Sequence, residues 1–337
     1  MNSIKLKNLE WKIIIYVIIL TIIGLIALYS ASTSTEFEEF KKQLIWIGIG
    51  IPILIFMTVI DYKILARFSI WFYGVAISLL IIVLFMPRIN GARSWFVLGQ
   101  TTLQPGEFAK VAVILFLSST ISNLVKSQEK AINKPLNILK IIGIVLLPVA
   151  LIAIEPDYGT AMGYIFALVF ILFVAGIDKR YIIVAITLVV ILLPLLYFFV
   201  LPEHAKTRID VYLNPYTDPR GDGYNIIQSE IAIGAGQLIG LGFLKGTQTH
   251  LGYLYPKTTD FIYSVIGEEF GFITCSIIVV LYVLLITKCI NVGKNASDDL
   301  GSFLAIGLSR SFIFSCAWKY WYDNRATSNH RSSASIH

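Results

Sequence analysis

Charge is what this sequence has little of. Lys, Arg, Asp and Glu make up 14% of its 337 residues, against about 25% in soluble domains. Polar helix faces cannot be built from so little, and with 56% hydrophobic residues the solvent around this chain is lipid, not water. Cysteine is nearly absent as well. Cys275 and Cys289 lie in or beside one apolar run and Cys316 is near the end, so no disulfide framework is implied. Basic clusters are missing, because the net charge of +6 is scattered over short loops. That scatter speaks against nucleic acid as a partner. The first apolar run has no small-residue cleavage site after Ser30, so it is expected to stay as a span and not to be removed as a signal peptide. No internal repeat is visible, which argues against an inverted-repeat transporter.

What the chain has instead is a series of apolar runs, each about 18 residues or longer and able to cross ~30 Å of hydrocarbon. Such runs make helices and not a barrel. The expected architecture is an all-α, polytopic membrane protein of about nine spans, at 11–31, 43–61, 66–86, 107–124, 137–155, 160–177, 180–202, 261–288 and one starting near 301. With the N-terminus inside, thirteen Lys and Arg fall in inner segments, among them Lys12, Lys63, Arg67, Lys126, Lys179 and Arg180. The outer short loops hold only Lys41, Lys42, Arg88 and Arg93. Positive charge stays in the cytoplasm, so the 87–106 loop and the long loop at about 203–260 are expected outside. Part of the long loop, Ile231–Gly242, is Gly-rich and too short to face lipid. A re-entrant or interfacial segment packed on other helices is expected there.

Four constellations put polar groups where lipid should exclude them. In the first, Asn90-Gly-Ala-Arg-Ser-Trp95 is followed by Gln104-Pro-Gly-Glu107 and Lys110. Glu107 and Lys110 share a helix face at i, i+3. They either neutralise each other as an ion pair orienting two helices or leave Lys110 as a point charge for a phosphate. Arg93 and Trp95 can equally be interfacial anchors. In the second, Glu155-Pro-Asp157-Tyr-Gly-Thr160 crowds two carboxylates into a hairpin; they could hold a divalent cation, or Asp157 could cap the next helix. The third is the long loop, with Arg208, a turn-rich stretch from Asn214 to Gly223, Gln228-Ser229 and Gly246-Thr247-Gln248. Asp218 and Asp222 there read mainly as turn residues, not metal ligands. The fourth is Thr258-Thr259-Asp260 before a helix carrying Glu268 and Glu269. Partial desolvation of Asp260 at the membrane surface would tune it as a general base, and an N-cap is the plainer reading. Glu268 and Glu269 need partners, for which Lys110 or a loop backbone are the candidates.

Taken in order, these strings resemble the shape, elongation, division and sporulation (SEDS) family, the RodA/FtsW type of peptidoglycan glycosyltransferase. The match runs from about residue 8 to 308 and includes Tyr212-Leu-Asn-Pro, Ala232-Ile-Gly, Gly246-Thr-Gln248, Thr259-Asp-Phe-Ile262 and Gly267-Glu-Glu269. Gly246-Thr-Gln248 and Leu28-Tyr-Ser-Ala-Ser32 look more like the elongation branch than the division branch. The resemblance implies a multi-pass protein of the bacterial plasma membrane, active on its extracytoplasmic face. Its implied substrate is lipid II, the undecaprenyl-diphosphate-linked disaccharide pentapeptide, which it polymerises into glycan strands during cell elongation and shape control. It implies a class B penicillin-binding protein as partner, with other elongation-complex membrane proteins. Asp260 would be the essential acid, and Arg93, Trp95, Glu107, Lys110 and Arg208 would line the outer cavity, with Gln228 and Gln248 among the matched positions. Glu155, Asp157, Glu268 and Glu269 would support them. No cofactor is certain, and Mg2+ or Mn2+ stays open as a helper for the diphosphate.

Two departures stand out. Lys257 occupies a position where the family usually has Glu, shortly before the acid. From Ser309 to His337 the chain turns polar and mixed instead of completing the ninth span and adding a tenth. Family-like codons read one frame over can give Lys319-Tyr-Trp-Tyr-Asp323, so residues 1–308 are expected to be the SEDS domain and 309–337 a frameshifted tail on a shortened product. A lipid II flippase and an inactive scaffold are the competing functions.

Overall fold

The computed structural model describes residues 9–87, 93–98, 101–127, 131–195, 198–199, 206, 210–211, 214–221, 223–254 and 257–311. Arg208, Asp222 and the expected tail from 312 onward lie outside the described residues, whereas 309–311 continue a helix.

Helices α1 (Trp11–Ala31) and α2 (Glu38–Val59) come first. At 21 and 22 residues each is roughly 32 Å long, enough to span hydrocarbon. Apolar side chains such as Ile45, Ile55 and Phe56 on α2 stand exposed; in lipid that exposure costs nothing. The short α3 (Tyr62–Arg67) is started by Asp61, whose carboxylate accepts from Lys63 N at 2.9 Å. Then follow α4 (Ser69–Val83), α5 (Pro105–Ser127), α6 (Pro135–Ile154), α7 (Tyr158–Val174) and α8 (Lys179–Leu195). Proline opens α5 and α6, where its missing N–H would be unpaired anyway. The last helices are α9 (Tyr224–Ala235), α10 (Thr247–His250), α11 (Ile262–Lys294) and α12 (residues 299–311).

The all-α expectation holds, with one addition. The 87–106 loop contains an antiparallel hairpin, β1 (Phe96–Leu98) paired with β2 (Thr101–Leu103), in the register Phe96 to Leu103. Five described helical segments, α1 (running on to Thr35), α2, α5, α6 and α11, are long and apolar enough to cross a membrane, and α4 and α7 are shorter apolar helices.

Residues group into two compact units. Of the described residues, one comprises those within 9, 50–182 and 286–311, the other those within 10–49 and 183–285. In the first unit, α4 packs on α5, and α5 and α6 pack on α7. Its core holds Leu80, Val113, Ile114, Leu117, Ile141, Ile152 and Ile171, all essentially inaccessible. Tyr164 lies among them and donates its hydroxyl to the Gly106 carbonyl at 2.6 Å.

In the second unit the fold turns on a break in α11. Gly271 has φ +75°, a conformation open to glycine and closed to side-chain-bearing residues at its ψ of −176°. The break frees the carbonyls of Glu268 and Glu269 and the amides of Phe272 and Ile273 from i, i+4 bonding. Residues 237–242 take up all four. Leu241 N donates to Glu268 O at 2.9 Å and Gly242 N to Glu269 O at 3.0 Å, while Gln237 O accepts from Phe272 N at 2.9 Å and Leu238 O from Ile273 N at 3.2 Å. Buried backbone groups must be paired where water is scarce, so the Gly-rich segment replaces the missing helical bonds. Glycine is needed because the chains touch: a Cβ on Gly236 would sit 1.8 Å from the Gly267 carbonyl oxygen. The packed, irregular segment expected for 231–242 is therefore found from 236 onward, and Ile231–Ala235 completes α9.

Candidate active site

In the second unit, Glu268 is fully buried and its carboxylate acts as the cap of α10. Oε1 accepts from Gln248 N at 2.7 Å and Thr247 Oγ1 at 3.3 Å, and Oε2 from Thr249 N at 3.0 Å and Thr249 Oγ1 at 2.7 Å. Negative charge at a helix N-terminus meets free N–H groups there. Glu269 faces a different set. Its Oε1 accepts from Ser30 Oγ and lies 3.2 Å from His250 Nε2, whose other ring nitrogen is 3.2 Å from Thr33 Oγ1. Of the two candidate partners expected for the glutamates, the loop backbone serves Glu268, whereas Lys110 is taken by Glu107 and Glu269 instead meets Ser30 and His250, which the sequence reading did not offer.

This scaffold holds the turn that carries Asp260. Lys257 is buried and donates from Nζ to the Thr249 carbonyl at 2.7 Å. Burial draws its pKa below the ordinary lysine value, and the charge of Glu269 pushes it back up. Leu254 and Phe261, on either side of the turn, pack against Ala31 and Val265. With the turn tied down at Lys257 and Phe261, Asp260 itself is exposed and makes no hydrogen bond or ion pair among the described residues. The side chain of Asp260 thus stands open, and Lys257 and Phe261 are the parts of the turn that are buried. Nor is Asp260 the cap of α11: Ser264 N and Val265 N bond to the carbonyl of Phe261. Gln248 spends its backbone N–H on Glu268, and its Oε1 is buried and unpaired among the described residues. Gln228 is half-buried on α9, beside Ser229, whose hydroxyl meets that of Ser264 at 2.6 Å.

In the first unit, Lys110 is 7% exposed along its side chain and pairs with Glu107, 51% exposed, at 2.8 Å. The two residues do pair, but within α5 itself, so the pair does not orient two helices as expected, and its carboxylate is on the open side. Arg93 is exposed and donates from Nη1 to the Leu84 carbonyl at 3.1 Å at the end of α4; Trp95 is half-buried. Asp157 caps α7, accepting from Thr160 N at 3.2 Å, and its Oδ2 also accepts from Thr160 Oγ1 and Gln104 Nε2. Glu155 next to it is 1% exposed with Oε1 unpaired among the described residues. Among the described residues no group of three or more His, Cys, Asp or Glu could hold a metal ion, and the Asp157 oxygens are already engaged. In the long loop, Asp218 Oδ1 accepts from Gly221 N at 3.0 Å, the turn chemistry expected of it.

Sequence reasoning missed Ser30, Thr33 and His250. The signal for them was weak: a hydroxyl pair at the outer end of the first span and one of the two histidines in the long loop.

Comparison with known proteins identifies the family. Residues 10–319 match the FtsW/RodA/SpoVE family of cell cycle proteins. The peptidoglycan glycosyltransferase MrdB of Escherichia coli (strain K12) is 33% identical over 306 residues, covering 89% of this chain and 80% of that protein. Stage V sporulation protein E of Bacillus subtilis (strain 168) is 34% identical over 317 residues, covering 90% and 84%. Among solved structures, one described as the structural coordination of polymerization and crosslinking by a peptidoglycan synthase complex matches with TM-score 0.79 at 24% identity, covering 95% of this chain and 88% of that one. The rod shape determining protein RodA of Thermus thermophilus matches with TM-score 0.64 at 22% identity, covering 91% and 82%; at such identities the likeness is one of fold. With the family match spanning most of its length and apolar helices throughout, the chain is a multi-pass protein of the bacterial cell membrane and belongs to the FtsW/RodA/SpoVE family.

Proposed function

We propose that this protein is a peptidoglycan glycosyltransferase that polymerises lipid II into glycan strands on the outer face of the membrane, with Asp260 as its general base. The observation that carries the reading is the Asp260 turn: an open carboxylate held between two buried anchors, Lys257 and Phe261. A free carboxylate on a fixed backbone can take a proton without first breaking a bond of its own. In the reaction, the acceptor's 4-hydroxyl attacks the anomeric carbon of the donor sugar and gives its proton to Asp260. The anomeric C–O bond to the diphosphate breaks, and an α-linked donor becomes a β-1,4 product by inversion, without a covalent intermediate. The departing undecaprenyl diphosphate carries new negative charge, and the family resemblance assigns it to the cationic side chains of Arg93, Lys110 and Arg208. Trp95, Glu107, Gln228 and Gln248 are assigned to the substrate surface.

The branch features at Leu28–Ser32 and Gly246–Gln248 support a role in elongation and cell shape, with a class B penicillin-binding protein and other elongation-complex membrane proteins as partners; the crosslinking named for the structural relative is in keeping with this. Purified protein in detergent, given lipid II, is expected to make polymer, and Asp260→Asn or Asp260→Ala is expected to abolish it while the protein stays folded. Because detergent micelles allow no translocation, polymer formation there separates the enzyme from a flippase. Full polymerisation by the Asp260 variants would defeat the assignment, and partner binding without any polymer would point to a scaffold.

A further inference from the structure

The structure holds a second polar feature, made of residues the reading above does not use. In the first unit, the end of α3, the end of α5 and the start of α12 enclose a groove of about 570 Å³, within the range of roughly 300–1,000 Å³ common for small-ligand sites. Lys63, Arg67 and Lys126 line it, with Asp298 as the one acid of the lining. Asp298 is fully engaged. Its Oδ2 pairs with Lys63 Nζ at 3.0 Å, and its Oδ1 accepts from Tyr62 Oη at 3.0 Å and Gly301 N at 2.8 Å. Lys63 is thereby neutralised, whereas Arg67 and Lys126 have no anionic partner among the described residues. Two exposed cations of different chains of contact converge on one groove, beside Ser69 and Asn123, whose side chains make no hydrogen bond among the described residues.

An ordinary surface would leave such cations to water and salt. Here Ile70, itself in the lining, is 59% exposed, and its chain neighbours Phe68 and Trp71 are 50% and 73% exposed. Those side chains belong against lipid tails, so whatever neutralises Arg67 and Lys126 sits where a headgroup meets its own acyl chains. Arg offers a planar fork for two phosphate oxygens and Lys a point charge for the same group. Cationic pockets between membrane helices at the cytoplasmic end select anionic headgroups, and the inner-facing excess of Lys and Arg puts this groove at that end.

We propose that this groove is a binding site for the phosphodiester of an anionic phospholipid of the inner leaflet, with Arg67 and Lys126 as the charge contacts and Ser69 and Asn123 as neutral donors. The lipid completes the charge balance between α3, α5 and α12 and fixes their ends.

The test uses the full chain, purified and delipidated in a neutral detergent, with retained lipid counted by native mass spectrometry. Phosphatidylglycerol is titrated against phosphatidylcholine, with glycerol phosphate as the headgroup without tails. Phosphatidylglycerol is expected to bind and to raise the thermal midpoint, and the double variant Arg67→Gln with Lys126→Gln to weaken its binding roughly thirtyfold, about fivefold for each cation. The control removes one Lys and one Arg elsewhere at the same expected end, Lys179→Gln with Arg180→Gln, and is expected to bind like the parent. Asn123→Leu, which keeps the charge and fills the groove, is expected to weaken binding as well. Equal binding of phosphatidylcholine, equal loss in the control pair, or unaltered binding in the double variant would each overturn the proposal. Competition by glycerol phosphate at lipid-like concentrations would overturn it in favour of a free-phosphate site.

Discussion

Replacing Glu268 with alanine tests the central support of the second unit. The side chain is 0% exposed and accepts from two backbone amides and two hydroxyls of residues 247–249. Alanine leaves the amides of Gln248 and Thr249 without acceptors in a site closed to water, at about 1–3 kcal/mol each. The hydroxyls can turn to other acceptors and add less. Against this stands relief from burying a carboxylate, which offsets a part of the loss. A net destabilisation of about 3 kcal/mol is expected, read as a shift of the unfolding midpoint in mixed micelles. Glu268→Gln should fall between parent and alanine, since its oxygen keeps one pair of donors and its NH2 group faces the other pair donor to donor. Hydrogen exchange adds local resolution: the amides of 248 and 249 are expected to exchange faster in both variants. An alanine variant with the parent's midpoint and the parent's protection at 248 and 249 would refute the reasoning.

Gly271→Ala forces a side chain onto a φ of +75° and puts its Cβ 2.4 Å from Gly240 N; the backbone strain alone costs on the order of 1–3 kcal/mol, so a sharp loss of folded protein is expected on size exclusion in detergent. Lys257→Met keeps the bulk but leaves the Thr249 carbonyl unpaired, for about 1 kcal/mol of stability, and lets the Asp260 turn move; polymerisation kinetics should show a fall in kcat with little change in KM. Glu269→Gln should be tolerated better than Glu269→Ala, because the amide oxygen still accepts from Ser30, and thermal midpoints of the two variants check the order. Lys110→Met is expected to lower polymerisation about 10²- to 10³-fold if the ammonium stabilises the leaving diphosphate, and a rate near the parent's would remove Lys110 from that role.

Several of these residues could be found in the sequence because lipid makes polar groups costly there. Lys110, Glu155, Glu268 and Glu269 stood out for that reason alone, and the i, i+3 spacing of Glu107 and Lys110 foretold their ion pair. Turn chemistry was equally plain at Asp218 and Asp157, where a short side chain reaches an amide three residues ahead. Partners far apart in sequence were not: nothing local ties Ser30 to Glu269, 239 positions away, or distinguishes the buried Lys257 from a solvated loop lysine. The hairpin at 96–103 also escaped notice, since three-residue strands carry almost no periodic signal.

The sequence by itself determined that this is a helical membrane protein of a particular family, because hydrophobic length and the ordered strings of polar residues are properties of the chain read one residue at a time. Tertiary structure decided how the broken helix at Gly271 is made whole. Its four orphaned backbone groups are satisfied by residues 237–242, and backbone groups, being the same in every residue, leave no mark in a sequence to say which will meet. It decided, too, that Asp260 stands open while Lys257 and Phe261 are buried, for exposure depends on what packs around a turn and not on the residue that sits in it.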